Sequence, residues 1–188
     1  DANDRERWLL QGVERPVVLL ARRVDSTLAP EVAPRNPWIG LMLPYTPLHH
    51  LLLRAVGRPL VMTSGNLSEE PLAYRNDEAV ERLAGIADAF LVHDRDIETP
   101  CDDSVARVIA GRSTLLRRSR GYVPRAVSLA QPVARPTLGC GALLKNTFCL
   151  ASGHDAWMGP HIGDLEGLAT YGFYETAVAR LERFLRVR

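Results

Sequence analysis

Apolar positions change period several times along this chain, and each change predicts an element. Leu48, Leu51, Leu52 and Ala55 recur at helical spacing between Thr46-Pro47 and Gly57. A threonine suited to the N-cap, a proline at the first helical position and a glycine suited to a left-handed C-terminal residue predict a helix from Pro47 to Val56. The apolar run Leu60-Val61-Met62 then predicts a short buried strand, Leu60 to Thr63, that ends on Thr63-Ser64-Gly65-Asn66. Upstream, Glu6 to Leu10 reads as the tail of a helix feeding a strand at Val17 to Arg22. A proline-rich loop (Ala29 to Pro37) and a strand (Trp38 to Leu43) follow.

Downstream, Asn76 is the expected N-cap of a helix from Asp77 to Ala84, whose acidic start complements the helix dipole. Ala89 to His93 reads as a further short strand, and VARVIAGRSTLLRR as two strands joined at Gly111 in a hairpin. QPVARP, residues 131–136, is proline-rich and reads as a linker. TLGCGALLKNTFCLASG then has the look of a β-hairpin with Lys145-Asn146 near its turn. Leu168, Phe173, Tyr174, Ala177, Val178, Leu181, Phe184 and Leu185 mark a broad helical face. Interleaved helices and strands give an α/β class with a twisted mixed sheet, followed by an incomplete second α/β domain that opens with a hairpin and a helix. The chain reads as a fragment: it opens on a helix tail and stops inside a periodic helical segment.

Composition narrows the class. The 188 residues can bury a sizeable core, and a net charge of +1 supplies no global attraction to nucleic acid or to a membrane surface. No apolar run approaches the ~20 residues of a membrane span, and the first residues lack the layout of a secretion signal. A cytoplasmic location is the default expectation. Cys101, Cys140 and Cys149 are odd in number and widely spaced, forming neither a disulfide framework nor a CxxC pair, and are expected to stay reduced.

Four polar groups invite chemistry. Ser64, Gly65, Asn66 and Ser68 offer hydroxyl, amide and open backbone at a strand end, where α/β sheets line ligand crevices; the same residues are ordinary turn composition. His49 and His50 lack metal-ligand spacing and read as well as packed or surface side chains. Arg112, Arg117, Arg118, Arg120 and Arg125 gather around Gly121, where guanidinium forks suit phosphate, although a solvated basic strand or an RNA-backbone contact would use the same residues. His93-Asp94-Arg95-Asp96 with Asp102-Asp103 could hold magnesium beside nucleotide phosphates, or serve as ion pairs and turn caps. No residue is assigned as a metal ligand.

Read together, LPYTPLHHLL, TSGNLSEEP, HDRDI followed by CDDSV, LLRRSRGYVP, GALLKNTFCL and HIGDLE occur in an order that resembles the hydrogenase maturation carbamoyltransferase family HypF. Each motif is weak alone; six in sequence are specific, and the resemblance spans the chain from about Val17 onward. The resemblance implies that residues 1–128 are the later part of a YrdC-like nucleotide-binding domain, 129–136 a linker, and 137–188 the start of a carbamoyltransferase domain of the sugar kinase/actin type. It implies formation of carbamoyl-adenylate from carbamoyl phosphate and ATP with Mg, and transfer of the carbamoyl group to the C-terminal cysteine of HypE, the source of the cyanide ligands of [NiFe]-hydrogenase.

By the same resemblance, Ser64 and Asn66 match a Ser-x-Asn motif that contacts nucleotide phosphates, with Arg118 and Arg120 as phosphate or adenylate partners. Tyr45 and Thr46 would line the carbamoyl side. Lys145, Asn146 and Thr147 match a turn that approaches nucleotide phosphates in the second domain, and His161 and Asp164 sit in the HIGDL motif without an assigned role. No covalent protein nucleophile is needed, so Cys101 has no catalytic role in this reading. Structural zinc and a second-domain metal belong to parts of the family pattern absent from these residues, as do the first portion of the YrdC-like domain and its basic contacts. The fragment alone is therefore expected to be inactive. The alternatives are a threonylcarbamoyl-adenylate synthase for tRNA modification, disfavoured by LKNTFCL and HIGDLE, and an RNA-binding module using the Arg112 to Arg125 ridge.

Overall fold

A computed structural model describes residues 2–67 and 70–187. Ser68, one of the polar residues singled out after Met62, lies outside the described residues. The chain divides into two compact units. One is built from the chain up to Met62 together with Asp103–Tyr122, the other from Thr63–Asp102 together with the chain from Val123 onward.

The first unit centres on a mixed four-stranded sheet in the order β2-β1-β3-β4, with β1 (Val17–Ala21), β2 (Trp38–Leu41), β3 (Val105–Ile109) and β4 (Arg112–Arg117). β1 runs antiparallel to β2 and parallel to β3, and β3 and β4 form the expected hairpin across Gly111. Alternation puts Val18 and Leu20 of β1 and Ala106 and Val108 of β3 on one face. There they bury Leu9 and Leu10 of α1 (Asp4–Gln11), with Leu43 and Leu115 at the margin. The segment expected to be a helix tail is a complete short helix. Asn3 caps it: its Oδ1 accepts the Glu6 N–H at 2.9 Å and its own N–H donates to Glu6 Oε2 at 2.8 Å.

α2 (Pro47–Val56) has the predicted bounds and caps. Thr46 Oγ1 accepts the His49 N–H at 3.2 Å, and Gly57 closes the helix at φ 69°. Its expected core face is nevertheless open, for Leu48, Leu51, Leu52 and Ala55 are all exposed. The strand predicted at Leu60 to Thr63 does not form, nor does the one at Ala89 to His93. A strand needs a neighbour to take its N–H and C=O groups, and among the described residues neither run pairs with one. Val61 is 72% and Leu91 77% exposed.

The second unit carries α3 (Asn76–Leu83), a two-stranded antiparallel sheet of β5 (Val127–Gly139) and β6 (Cys149–Met158), and α4 (Leu168–Leu185). Arg75, not Asn76, is the N-cap of α3. The Asn76 amide is drawn instead to the His93 carbonyl at 2.6 Å. The proline-rich stretch read as a linker lies inside β5. The register slips between Ser128 and Val133 and again between Val133 and Thr137, so Pro132 and Pro136 sit where the ladder is already interrupted and their missing N–H is not demanded.

Phe148, Leu150, Ile162, Ala177 and Leu181 form the core of this unit, with Trp157, Phe173, Tyr174, Val178 and Leu185 packed around it. Gly159 permits a close approach to this core, since a Cβ there would lie 2.4 Å from the Phe148 ring. Two residues assigned to the α4 face are exposed: Leu168, which helical geometry turns to the far side, and Phe184, near the C-terminal end. The buried polar Thr170 lies on the inward face. No helix among the described residues is long and apolar enough to cross a membrane.

Candidate functional site

In the first unit, the loop that delivers Tyr45 to the start of α2 and the turn after β4 meet. The Arg120 guanidinium lies 3.5 Å above the centroid of the Tyr45 ring, and His49 approaches the same ring edge-on at 4.5 Å. Arg120 is held from several directions: Nε donates to Asp103 Oδ1 at 2.5 Å, Nη1 to the Glu14 carbonyl at 3.1 Å and Nη2 to the Arg15 carbonyl at 2.7 Å. Beside it, the fully buried Ser104 hydroxyl donates to the Arg120 carbonyl at 2.9 Å and accepts the Ser119 N–H at 2.7 Å.

Gly121 at φ 87° brings this turn against the backbone of Glu14, where a Cβ would come within 2.5 Å of a carbonyl oxygen. Arg118 donates to the Tyr122 carbonyl at 3.2 Å and lies 5.7 Å over the Tyr122 ring. Tyr45 and Arg120 are thus brought together, and Thr46 spends its side-chain oxygen on the helix cap.

Asp103, one of the acids considered for magnesium, takes the ion-pair role with Arg120. Among the described residues no three His, Cys, Asp or Glu side chains converge as a metal site.

In the second unit, Ser64 is exposed and Asn66 is half-buried in a loop bonded to itself. The Asn66 amide donates to the Leu67 and Glu70 carbonyls at 2.9 and 3.1 Å, and the Ala73 N–H donates to the Gly65 carbonyl at 2.8 Å. Arg82 of α3 secures the return of this loop through Glu70 at 2.5 Å, the Pro71 carbonyl at 3.0 Å, and Glu78 one helical turn away. Sequence reasoning missed Arg82; its only signal was the i,i+4 spacing from Glu78.

The connection between β5 and β6 forms a second polar centre. Asn146, 1% exposed, donates to the Cys140 and Ala142 carbonyls at 2.9 and 2.6 Å. Thr147 Oγ1 lies 3.1 Å from both the Gly159 and Pro160 carbonyls. Lys145 adopts a left-handed conformation at φ 50° and its side chain reaches solvent. Of the three residues assigned to phosphate here, Asn146 and Thr147 brace the turn and only Lys145 extends from it.

Asp164 faces Lys145. Its Oδ1 accepts the Lys145 N–H at 2.7 Å and its Oδ2 lies 3.1 Å from Nζ. The Lys145 backbone N–H first, then its ammonium, hold the Asp164 carboxyl below the ordinary carboxylate range. Burial shifts the Cys149 thiol the other way, upward, which suits an inert side chain.

Comparison with known proteins follows the same order along the chain. The Sua5/YciO/YrdC family model, described as telomere recombination, matches residues 2–119, and the HypF Kae1-like domain model matches residues 132–188. Carbamoyltransferase HypF of Synechocystis is 45% identical over 181 residues, covering 96% of this chain and 24% of that protein. Full-length HypF in its phosphate- and nucleotide-bound form superimposes with a TM-score of 0.96 at 41% identity, covering 100% of this chain and 30% of that one. HypF of T. kodakarensis gives 0.93 at 32% identity, covering 97% and 24%. The chain spans about a quarter of the length of the curated relatives it matches. With a YrdC-type match followed by a Kae1-like one, and HypF proteins aligned across both, the chain belongs to the HypF family of carbamoyltransferases.

Proposed function

We propose that this chain is part of a cytoplasmic carbamoyltransferase that forms carbamoyl-adenylate from carbamoyl phosphate and ATP with Mg, and passes the carbamoyl group to the C-terminal cysteine of HypE. The supporting observation is the TM-score of 0.96 over the whole chain with a HypF whose form is phosphate- and nucleotide-bound. Residues 1–128 are read as the later part of the YrdC-like domain and 137–188 as the start of the carbamoyltransferase domain. Structural zinc and a second-domain metal are assigned to parts of the protein outside this chain.

The chemistry asks mainly for positioning and charge neutralisation. Water cleaves carbamoyl phosphate to carbamate and phosphate; a carbamate oxygen then attacks the α-phosphorus of ATP, the bond from that phosphorus to the oxygen bridging to the β-phosphate breaks, and pyrophosphate leaves. Arg118, Ser64 and Asn66 are assigned to nucleotide phosphates. Tyr45 is assigned to the carbamoyl side, with Arg120 stacked on its ring. Thr46 acts there by fixing the helix start. Lys145 is assigned to nucleotide phosphates in the second domain.

The test is ATP–pyrophosphate exchange by the intact protein, with carbamoyl phosphate in one arm and threonine plus bicarbonate in the other. Exchange that requires carbamoyl phosphate is the expected result. Exchange supported only by threonine and bicarbonate overturns the reading in favour of the tRNA-modifying alternative. The 188-residue chain alone is expected to support no exchange.

A further inference from the structure

We propose that Asp164 is a positioning residue for Lys145: one carboxylate fixes the backbone of the turn and aims the ammonium that meets nucleotide phosphate, a role that rests on the phosphate reading of Lys145. The segment carrying Asp164 is laced to that turn. The Asn146 N–H donates to the Gly163 carbonyl at 2.8 Å, the Ile162 N–H to the Asn146 carbonyl at 2.9 Å, and the Leu165 N–H to the Leu143 carbonyl at 2.9 Å. Gly163 at φ 101° lets the chain bend between two of those bonds. Asp164 therefore stands on a platform already registered to Lys145.

The two contacts differ in kind. The bond from the Lys145 N–H at 2.7 Å holds a lysine at φ 50°, a left-handed conformation that is unfavourable for a residue with a side chain. The contact to Nζ at 3.1 Å joins an ammonium that is 78% exposed to a carboxylate that is 23% exposed. The carboxylate is the fixed partner and the ammonium the movable one. A solvent-facing pair of this sort is weak, so a polyphosphate with several negative charges can draw the ammonium away while the backbone bond keeps the turn in place. Asp164 then acts through Lys145 and never touches the ligand.

The test compares Asp164→Ala, Asp164→Asn, Lys145→Ala and the double variant Asp164→Ala/Lys145→Ala in the intact protein. It reads kcat and KM for ATP, together with equilibrium binding of ATP. Asp164→Ala is expected to raise KM about tenfold with kcat within about threefold. Asp164→Asn keeps an acceptor for the Lys145 N–H and is expected to raise KM only about threefold. The double variant should be no worse than Lys145→Ala, because both changes act through one side chain. If Lys145→Ala raises KM and Asp164→Ala leaves it unchanged, the positioning role fails and the phosphate reading survives; if Lys145→Ala has no effect, the phosphate reading itself fails. A loss confined to kcat in Asp164→Ala also overturns the proposal. Should Asp164→Ala not fold, Asp164→Asn decides: an unchanged KM overturns the role and a raised one supports it.

Discussion

Asn146 spends both amide protons on carbonyls of its own loop, and Gly141 at φ 78° is the residue that lets the loop close over it. A carboxylate of the same shape would set oxygen against oxygen in a fully buried place. Asn146→Asp is therefore expected to destabilise the protein by about 3 kcal/mol or more, measured by denaturant unfolding followed through tryptophan fluorescence. A change below about 1 kcal/mol would show that the turn does not depend on this amide. Asp164 supplies a pH signature at the same scale. Its folded pKa lies below the unfolded value of about 3.9, so its contribution is present above that value and is lost as pH falls through the folded pKa. The difference in melting temperature between the natural protein and Asp164→Ala should be constant from pH 7 to 5 and close as pH drops below about 4. A gap that is as wide at pH 3 as at pH 7 would rule out the charge.

Elements whose signals are local were legible in the sequence. α2 needs only Thr46, Pro47 and Gly57 to fix its ends, and the β3–β4 hairpin needs only its glycine and flanking β-branched residues. Thr46→Ala removes the acceptor of the His49 N–H and is expected to cost about 1 kcal/mol, seen also as faster amide exchange in the first turn of α2; unaltered exchange there would contradict the cap. Elements that depend on a partner were misread. Leu60 to Thr63 and Ala89 to His93 have strand composition but, among the described residues, no pairing neighbour, and β5 keeps its prolines because its ladder slips. The site divided along the same line. Ser64, Asn66, Arg118 and Lys145 announce themselves by residue type, whereas the jobs of Asp103, Arg82 and Asp164 come from partners 17, 12 and 19 residues away.

At the scale of the whole chain, the exposed apolar residues of α2 and the segment after it stand out. In the first unit Leu48 and Leu51 lie along α2, and Val61 and Met62 extend beyond it, all exposed. Helical periodicity with proper caps is ordinarily the mark of a face that packs, and patches of this kind mark contact surfaces. The HypF relatives extend well beyond the quarter of their length matched here, and the expected outcome is that in the intact protein this face is covered. The 188-residue chain should bind an apolar fluorescent dye strongly and the intact protein weakly. Leu51→Glu and Val61→Asp should lower dye binding by the chain while changing its stability by no more than about 0.5 kcal/mol, as for any exposed position. In the intact protein the same substitutions should cost about 2 kcal/mol or more, because each would bury an unpaired charge. Equal and small effects in both forms would mean that the α2 face remains open to solvent in the complete molecule as well.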